Sequence, residues 1–164
     1  MNSNKTDVFE MTAVDNRGNM LKIRELIHDD IKSLVDLYEI FWGEKSDRKK
    51  MERKFQDLEN NPNYIFLCAE KENKVIGTIQ GIICEELYGG CQPFLLMENF
   101  VIDKKHRKQG VGKILLTSLE DIAKIRGCTQ ILFITEANRK DTIKFYESVG
   151  YSSETHKGFK KSLK

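Results

Sequence analysis

A chain of 164 residues with 40% hydrophobic and 32% charged side chains has material for one globular core, and no apolar run approaches the roughly 20 residues of a membrane-spanning helix. The net charge of +2 is too small to point to nucleic acid, and the opening MNSNKTDVFEM lacks the apolar stretch of an export signal, so a cytoplasmic protein is expected. Residues 20–164 read as a single domain, preceded over residues 1–19 by a loose arm or an extra hairpin strand.

In chain order, VFEMTAV at residues 8–14 can pair with MLKIRE at residues 20–25 across Asp15, Asn16, Arg17, Gly18 and Asn19, a turn-rich cluster. Asp29 and Asp30 then open a helix with Ile31, Leu34, Val35, Leu37 and Tyr38 at helical spacing. A charged helix over residues 47–58 follows, ended by Asn60, Asn61, Pro62 and Asn63. YIFLCAE and KVIGTIQGIICEEL, on either side of Glu72, Asn73 and Lys74, predict a hairpin, and FLLMENFVID gives the next strand. Val111, Leu115, Leu119, Ile122 and Ala123 form the apolar stripe of a helix ending at Gly127. CTQILFITE predicts a buried strand, DTIKFYESV a helix stopped by Gly150, and THKGFKKSL a final strand. An antiparallel hairpin feeding a β-α-β unit implies an α/β chain with a mixed sheet.

Cys68, Cys84, Cys91 and Cys128 stand far apart, with no C-x-x-C pair and no histidine at metal-ligand spacing, so structural thiols are expected and no metal.

The segment HRKQGVGKILL, residues 106–116, sets two glycines between a cationic run and the start of a helix. A P-loop would need glycine at Arg107 and a hydroxyl at Ile114, and a dinucleotide fingerprint would need glycine at Leu115, so both patterns fail. The remaining pattern is [QR]-x-x-G-x-[GA], filled by Arg107, Lys108, Gln109, Gly110, Val111 and Gly112. Glycines let backbone N–H groups approach a pyrophosphate, and the helix N-terminus adds roughly half a positive charge. Gly110, Val111, Gly112 and Lys113 are thus candidates to hold phosphates through backbone amides, with Lys104, Lys105, Arg107 and Lys108 adding attraction. Downstream, Asn138 and Arg139 lead to Phe145, Tyr146, Glu147, Ser148, Val149, Gly150 and Tyr151, an F-Y-x-x-x-G-[FY] motif. With both motifs in this strand and helix order, residues 20–164 resemble the GNAT superfamily of acyl-CoA-dependent N-acetyltransferases.

That resemblance implies a mixed, mostly antiparallel twisted sheet flanked by about four helices, acetyl-CoA as acyl donor and a primary amine as acceptor. In FLLMENFVID, period-two alternation puts Phe94, Leu96, Glu98, Phe100 and Ile102 on one face, so Glu98 is a carboxylate among apolar neighbours, raised towards the range of a general base. A bulge, common in this strand of the family, would exchange the faces and make Asn99 the inward residue. The matching tyrosine of related enzymes, here Tyr146, lies near the sulfur as general acid. A phenol near 10 protonates a thiolate near 8.5 only at a cost of about 2 kcal/mol, which favours hydrogen bonding to the departing thiolate. The implied cycle is a direct attack in a ternary complex: the ammonium loses a proton to Glu98, directly or through water, and the N–H of Phe100 or Val101 stabilises the oxyanion. By the same resemblance Asn138 bonds the pantetheine arm, with Arg139 taking that role or the adenine side, and a homodimer is common among such proteins.

Tyr38, Trp42, Glu44, Glu85, Glu86 and Tyr88 fall where this family builds its acceptor pocket, and carboxylates with aromatics suit a small cationic amine. Two rival classes remain. Lys157, Lys160, Lys161 and Lys164 with the run at residues 104–108 would serve a nucleic-acid or protein-binding module, though no recognition motif accompanies them. A non-catalytic acyl-CoA sensor would keep the glycine loop without using Glu98 or Tyr146.

Overall fold

The computed structural model describes residues 9–163; residues 1–8, with the Val8 end of the expected first strand, and Lys164 lie outside the described residues. Contacts divide the chain into two compact units, one ending at Leu132 and one from Phe133 onward, each described by itself.

The first unit is built on a six-stranded sheet whose strands lie in sequence order: β1 (Glu10–Val14), β2 (Met20–Glu25), β3 (Tyr64–Lys71), β4 (Lys74–Cys84), β5 (Phe94–Ile102) and β6 (Ile131–Leu132). All neighbours are antiparallel except β5 and β6, which run parallel, giving the mixed and mostly antiparallel sheet expected. The unit also holds helices α1 (Ile31–Trp42), α2 (Arg48–Leu58) and α3 (Val111–Ile125). Between β3 and β4, Glu72 and Asn73 are both left-handed, with φ of +51° and +60°, as a tight turn matched to strand twist requires. A 3-10 turn at His28–Asp30 precedes α1, which ends at left-handed Gly43; the Asp47 carboxylate accepts from the Lys50 N–H to start α2.

Two layers cover the sheet. On one side, Leu26, Ile31, Leu34, Phe55 and Cys68 form an apolar cluster, with Tyr38, Met51, Phe66 and Val75 packed against it. On the other, α3 lies so close that a Cβ at Gly81 would stand 2.8 Å from Leu119 Cδ1, and Leu115, Leu116 and Leu119 of α3 are fully buried. Burial pushes the Cys68 thiol up to about 12, as befits an inert core cysteine. Arg24 of β2 ties strand β3 to the turn that precedes α1. It bonds Asp30 through two nitrogens at 2.6 and 3.0 Å and Glu70 of β3 at 2.6 and 2.9 Å, while Asp30 also accepts from the Ile27 N–H. The bonds to Asp30, more than offsetting desolvation, hold the guanidinium charged.

Among the described residues the second unit contains one helix, α4 (Lys140–Ser148), which makes four α-helices there, as expected. Two strand expectations fail. Of CTQILFITE only Ile131 and Leu132 form a strand, because pairing with β5 extends over just two residue pairs and leaves the run half-exposed. THKGFKKSL forms no strand among the described residues: Phe159 and Leu163 are 94% and 91% exposed, so nothing buries the apolar half of the alternation among its lysines. Among the described residues no helix is long and apolar enough to cross a membrane.

Candidate active site

The loop between β5 and α3 begins with a 3-10 turn at Lys104–His106, capped by the Asp103 carboxylate accepting from the Lys105 N–H at 2.9 Å. Lys108 and Gly110 are both left-handed, with φ of +58° and +84°. Left-handed Gly110 followed by helical Val111 makes the alternation in which consecutive N–H groups converge on an anion. The first intrahelical bond runs from the Ile114 N–H to the Gly110 carbonyl, so the N–H groups of Val111, Gly112 and Lys113 belong to the open first turn of α3. The side chains divide differently from the backbone. Val111 is buried; Gln109 is 4% exposed and donates to the Lys105 carbonyl at 2.7 Å, which fixes the loop from within. Arg107 donates to the Ile102 carbonyl at 3.0 Å and lies 5.4 Å from the centre of the Phe41 ring. Lys104, Lys105, Lys108 and Lys113 are exposed.

Strand β5 does not alternate unbroken. Gln80 pairs with Glu98 and Thr78 with Val101, so Ile79 alone opposes Asn99 and Phe100. Asn99, at φ +50°, takes the left-handed kink of this bulge, a conformation asparagine tolerates better than most residues. Phe94, Leu96 and Glu98 therefore share their face with Val101, while Phe100 and Ile102 are shifted off it, correcting the alternation read from the sequence. Asn99 donates from Nδ2 to Gln80 Oε1 at 2.9 Å. Glu98 is exposed, so the apolar enclosure expected around it is absent. The parallel ladder of β5 with β6 ends at Leu96 and Leu132, before the bulge.

Of the residues expected around an acceptor, Tyr38 is packed into the sheet. Burial pushes its hydroxyl up to about 12, with the Thr78 hydroxyl pulling the other way. Trp42 stands edge-on to both Tyr38 and Phe41 at 4.9 Å and is half-exposed; in the loop after β4, Glu85 and Tyr88 are exposed and Glu86 is partly buried. A concavity of about 540 Å³ lined by His28, Lys49, Glu52, Arg53 and Gln56 contains none of these residues.

In the second unit, Tyr146 packs at 4.2 Å from the Phe133 ring, 5.3 Å from Phe145 and 5.8 Å from Tyr151. Desolvation in this aromatic group pushes its phenol up to about 12, against the pull of Arg139. Arg139 lies 3.4 Å from the Glu136 carboxylate, and Asn138 is exposed, its carbonyl accepting from the Lys140 N–H.

Sequence reasoning missed the neighbour of Gly110. The turn joining β1 to β2 reaches the glycine loop: the Asn16 N–H donates to the Gln109 carbonyl at 2.9 Å, and a Cβ at Gly110 would stand 2.6 Å from Asn16 Oδ1. The Asp, Asn and Gly of this segment signalled a turn, but nothing local signals where a turn docks.

The acetyltransferase (GNAT) family model matches residues 31–151. A glucosamine 6-phosphate N-acetyltransferase from Trypanosoma brucei brucei is 26% identical over 84 residues, which make up 51% of this chain and 55% of that protein, so the match spans about half of each. A solved GNAT family acetyltransferase from Staphylococcus aureus is 27% identical with a TM-score of 0.69, covering 87% of this chain and 98% of the other. Glucosamine-6-phosphate N-acetyltransferase from Arabidopsis thaliana shares the fold with a TM-score of 0.75 at 22% identity, covering 86% of this chain and 97% of its own. With the matched stretch taking in Glu98, the glycine loop and Tyr146, the chain belongs to the acetyltransferase (GNAT) family.

Proposed function

We propose that this protein is an N-acetyltransferase that moves an acetyl group from acetyl-CoA to the primary amine of a small molecule by direct attack in a ternary complex. The observation that carries the reading is the left-handed Gly110 at the head of α3, where open first-turn N–H groups and exposed lysines meet. An anion is the ligand such a terminus suits. When bound, acetyl-CoA supplies the thioester whose acyl group is transferred. Gly110, Val111, Gly112 and Lys113 hold its phosphates through backbone N–H groups, and the lysines of the loop draw it in. Asn138 and Arg139 serve the rest of the cofactor.

Glu98 takes the proton of the incoming ammonium, directly or through water. Its exposure and its place across from Gln80 support access for a solvated cation better than a desolvated base would. The backbone at the β5 bulge, where the ladder is interrupted, is the place for an N–H of Phe100 or Val101 to meet developing negative charge. Tyr146 donates a hydrogen bond to the departing CoA thiolate and keeps its own proton; the attacking nitrogen, which must shed a proton once bonded to the acyl carbon, supplies the net proton that the thiolate takes up. A phenol at about 12 would protonate a thiolate near 8.5 only by climbing about 5 kcal/mol, a steeper cost than an ordinary tyrosine would face. The acidic loop with Glu85 and Glu86, and a relative named for glucosamine 6-phosphate, support a small amine as acceptor.

The test is a thermal shift of the purified protein with acetyl-CoA, CoA and ATP at matched concentrations. A ligand at a hundred times its dissociation constant adds about 2.7 kcal/mol to the native state. Stabilisation by both CoA species and not by ATP is the expected result, followed by thiol release on screening amines; no response to either CoA species would end this reading.

A further inference from the structure

Resting on the reading of residues 107–113 as the phosphate loop, we propose that the turn joining β1 to β2 is a working part of the cofactor site, with Asn16 as the positioning residue that holds Gly110. The turn lies outside the residues that match the family, yet it meets the loop at its most constrained point. Two contacts make the link. The Asn16 N–H donates to the carbonyl of Gln109, the residue just before the left-handed glycine. The Asn16 carboxamide covers the Cβ direction of Gly110, where an added carbon would stand 2.6 Å from Oδ1 and 2.9 Å from Cγ.

The turn is built to hold that place. Asp15 is 5% exposed and accepts from the Arg17 N–H at 2.8 Å, the Asn19 N–H at 2.9 Å and the Asn19 side-chain amide at 2.9 and 3.1 Å. Burial alone would raise the Asp15 carboxyl, but these bonds, the Asn19 amide foremost, outweigh it and hold the group below its ordinary value. Lys71 of β3 stands 4.0 Å away, and the Asp15 and Asn19 backbones close the turn with a 2.9 Å bond. Gln109 is fixed from the other side by its bond to the Lys105 carbonyl. Gly110 is thus gripped between a rigid turn and its own loop. N–H groups that bind an anion without reorganising need this bracing, because a tilted peptide loses its alignment with the phosphate oxygens.

Calorimetric titration of the full chain with CoA and with pantetheine, which lacks the phosphates, separates positioning from general damage. Asn16→Ala, and Asn16→Ser as a second variant, are expected to weaken CoA about fivefold, the loss that follows when one ordinary contact no longer aligns the loop. Pantetheine binding should stay at the wild-type level. Gly110→Ala serves as the reference. If it weakens CoA while both Asn16 variants bind like wild type, the turn has no part in the site and the phosphate-loop reading stands. If neither the Asn16 variants nor Gly110→Ala alter CoA binding, the loop is not the phosphate site and both readings fall. Equal losses for CoA and pantetheine would make Asn16 a general stabilising residue and overturn the proposal.

Discussion

The glycine loop at the head of α3 and the helix carrying Tyr146 are both announced by short motifs, yet the fold holds them in different ways. The loop is tied at four residues: Gln109 to Lys105, Arg107 to Ile102 and Phe41, Gly110 against Asn16, and Val111 into the core below. Helix α4 has no fully buried residue, and its order within its own unit comes from rings packed on Tyr146. The difference suits the proposed roles. A loop proposed to bind through peptide N–H groups has to fix its backbone, whereas a residue proposed to offer a hydroxyl needs only its ring held.

The largest effect should come from the packing beneath the loop. Leu119→Ala in α3 empties a fully buried site against Gly81 and is expected to lower stability by about 3 kcal/mol. Ile143→Ala in α4, only partly buried, should cost about 1 kcal/mol or less. Urea unfolding followed by circular dichroism measures both, and equal losses would erase the contrast between the two regions.

Their legibility in the sequence differs in the same way. The β3–β4 hairpin was readable because strand-like apolar runs flank Glu72 and Asn73, residues placed where a tight turn needs left-handed backbone. The start of α3 was readable because glycine before an apolar stripe is a local signal. In β5 the bulge was foreshadowed only by family habit, since Asn99 looks like any polar strand residue until Ile79 is seen to face two residues. Ile131, Leu132, Phe133 and Ile134 look like a buried strand, but burial depends on neighbours that period and propensity do not encode, and only two of them pair. Asn16 was the least legible residue of the candidate site. Its partner, Gly110, is distant in sequence, and a docked turn leaves no periodic trace.

A matched pair of glycines isolates the bracing of the loop. Gly110 and Gly150 both sit in left-handed backbone, at φ +84° and +98°, but a Cβ at Gly150 meets nothing within 4 Å while one at Gly110 meets Asn16 at 2.6 Å. Gly150→Ala should therefore cost about 1 kcal/mol for conformation alone, and Gly110→Ala about 2 kcal/mol because the carboxamide must also move. Adding Asn16→Gly should return part of the Gly110→Ala loss and nothing of the Gly150→Ala loss. Thermal melts of the three single and two double variants give the answer, and a Gly110→Ala penalty that is the same in the wild-type and Asn16→Gly backgrounds would show that the turn yields without resistance.

A further effect, absent at neutral pH, is alkaline. Tyr38 and Tyr146 both titrate at about 12 through desolvation, above the ordinary 10, so the folded chain prefers each phenol protonated. Above pH 10 the unfolded chain loses these protons first, and the stability they lend, complete below pH 10, drains away as the pH climbs through 12. For Tyr38, packed between α1 and the sheet, this amounts to about 1.4 kcal/mol lost by pH 11. Tyr38→Phe should flatten the fall in urea midpoint between pH 9 and pH 11 relative to wild type, whatever its effect at neutral pH. Tyr146→Phe should flatten it less, because its ring is only partly enclosed by Phe133, Phe145 and Tyr151 and solvent reaches the phenolate sooner. A larger change from Tyr146 than from Tyr38 would mean that α4 is held more firmly than its exposed surface implies.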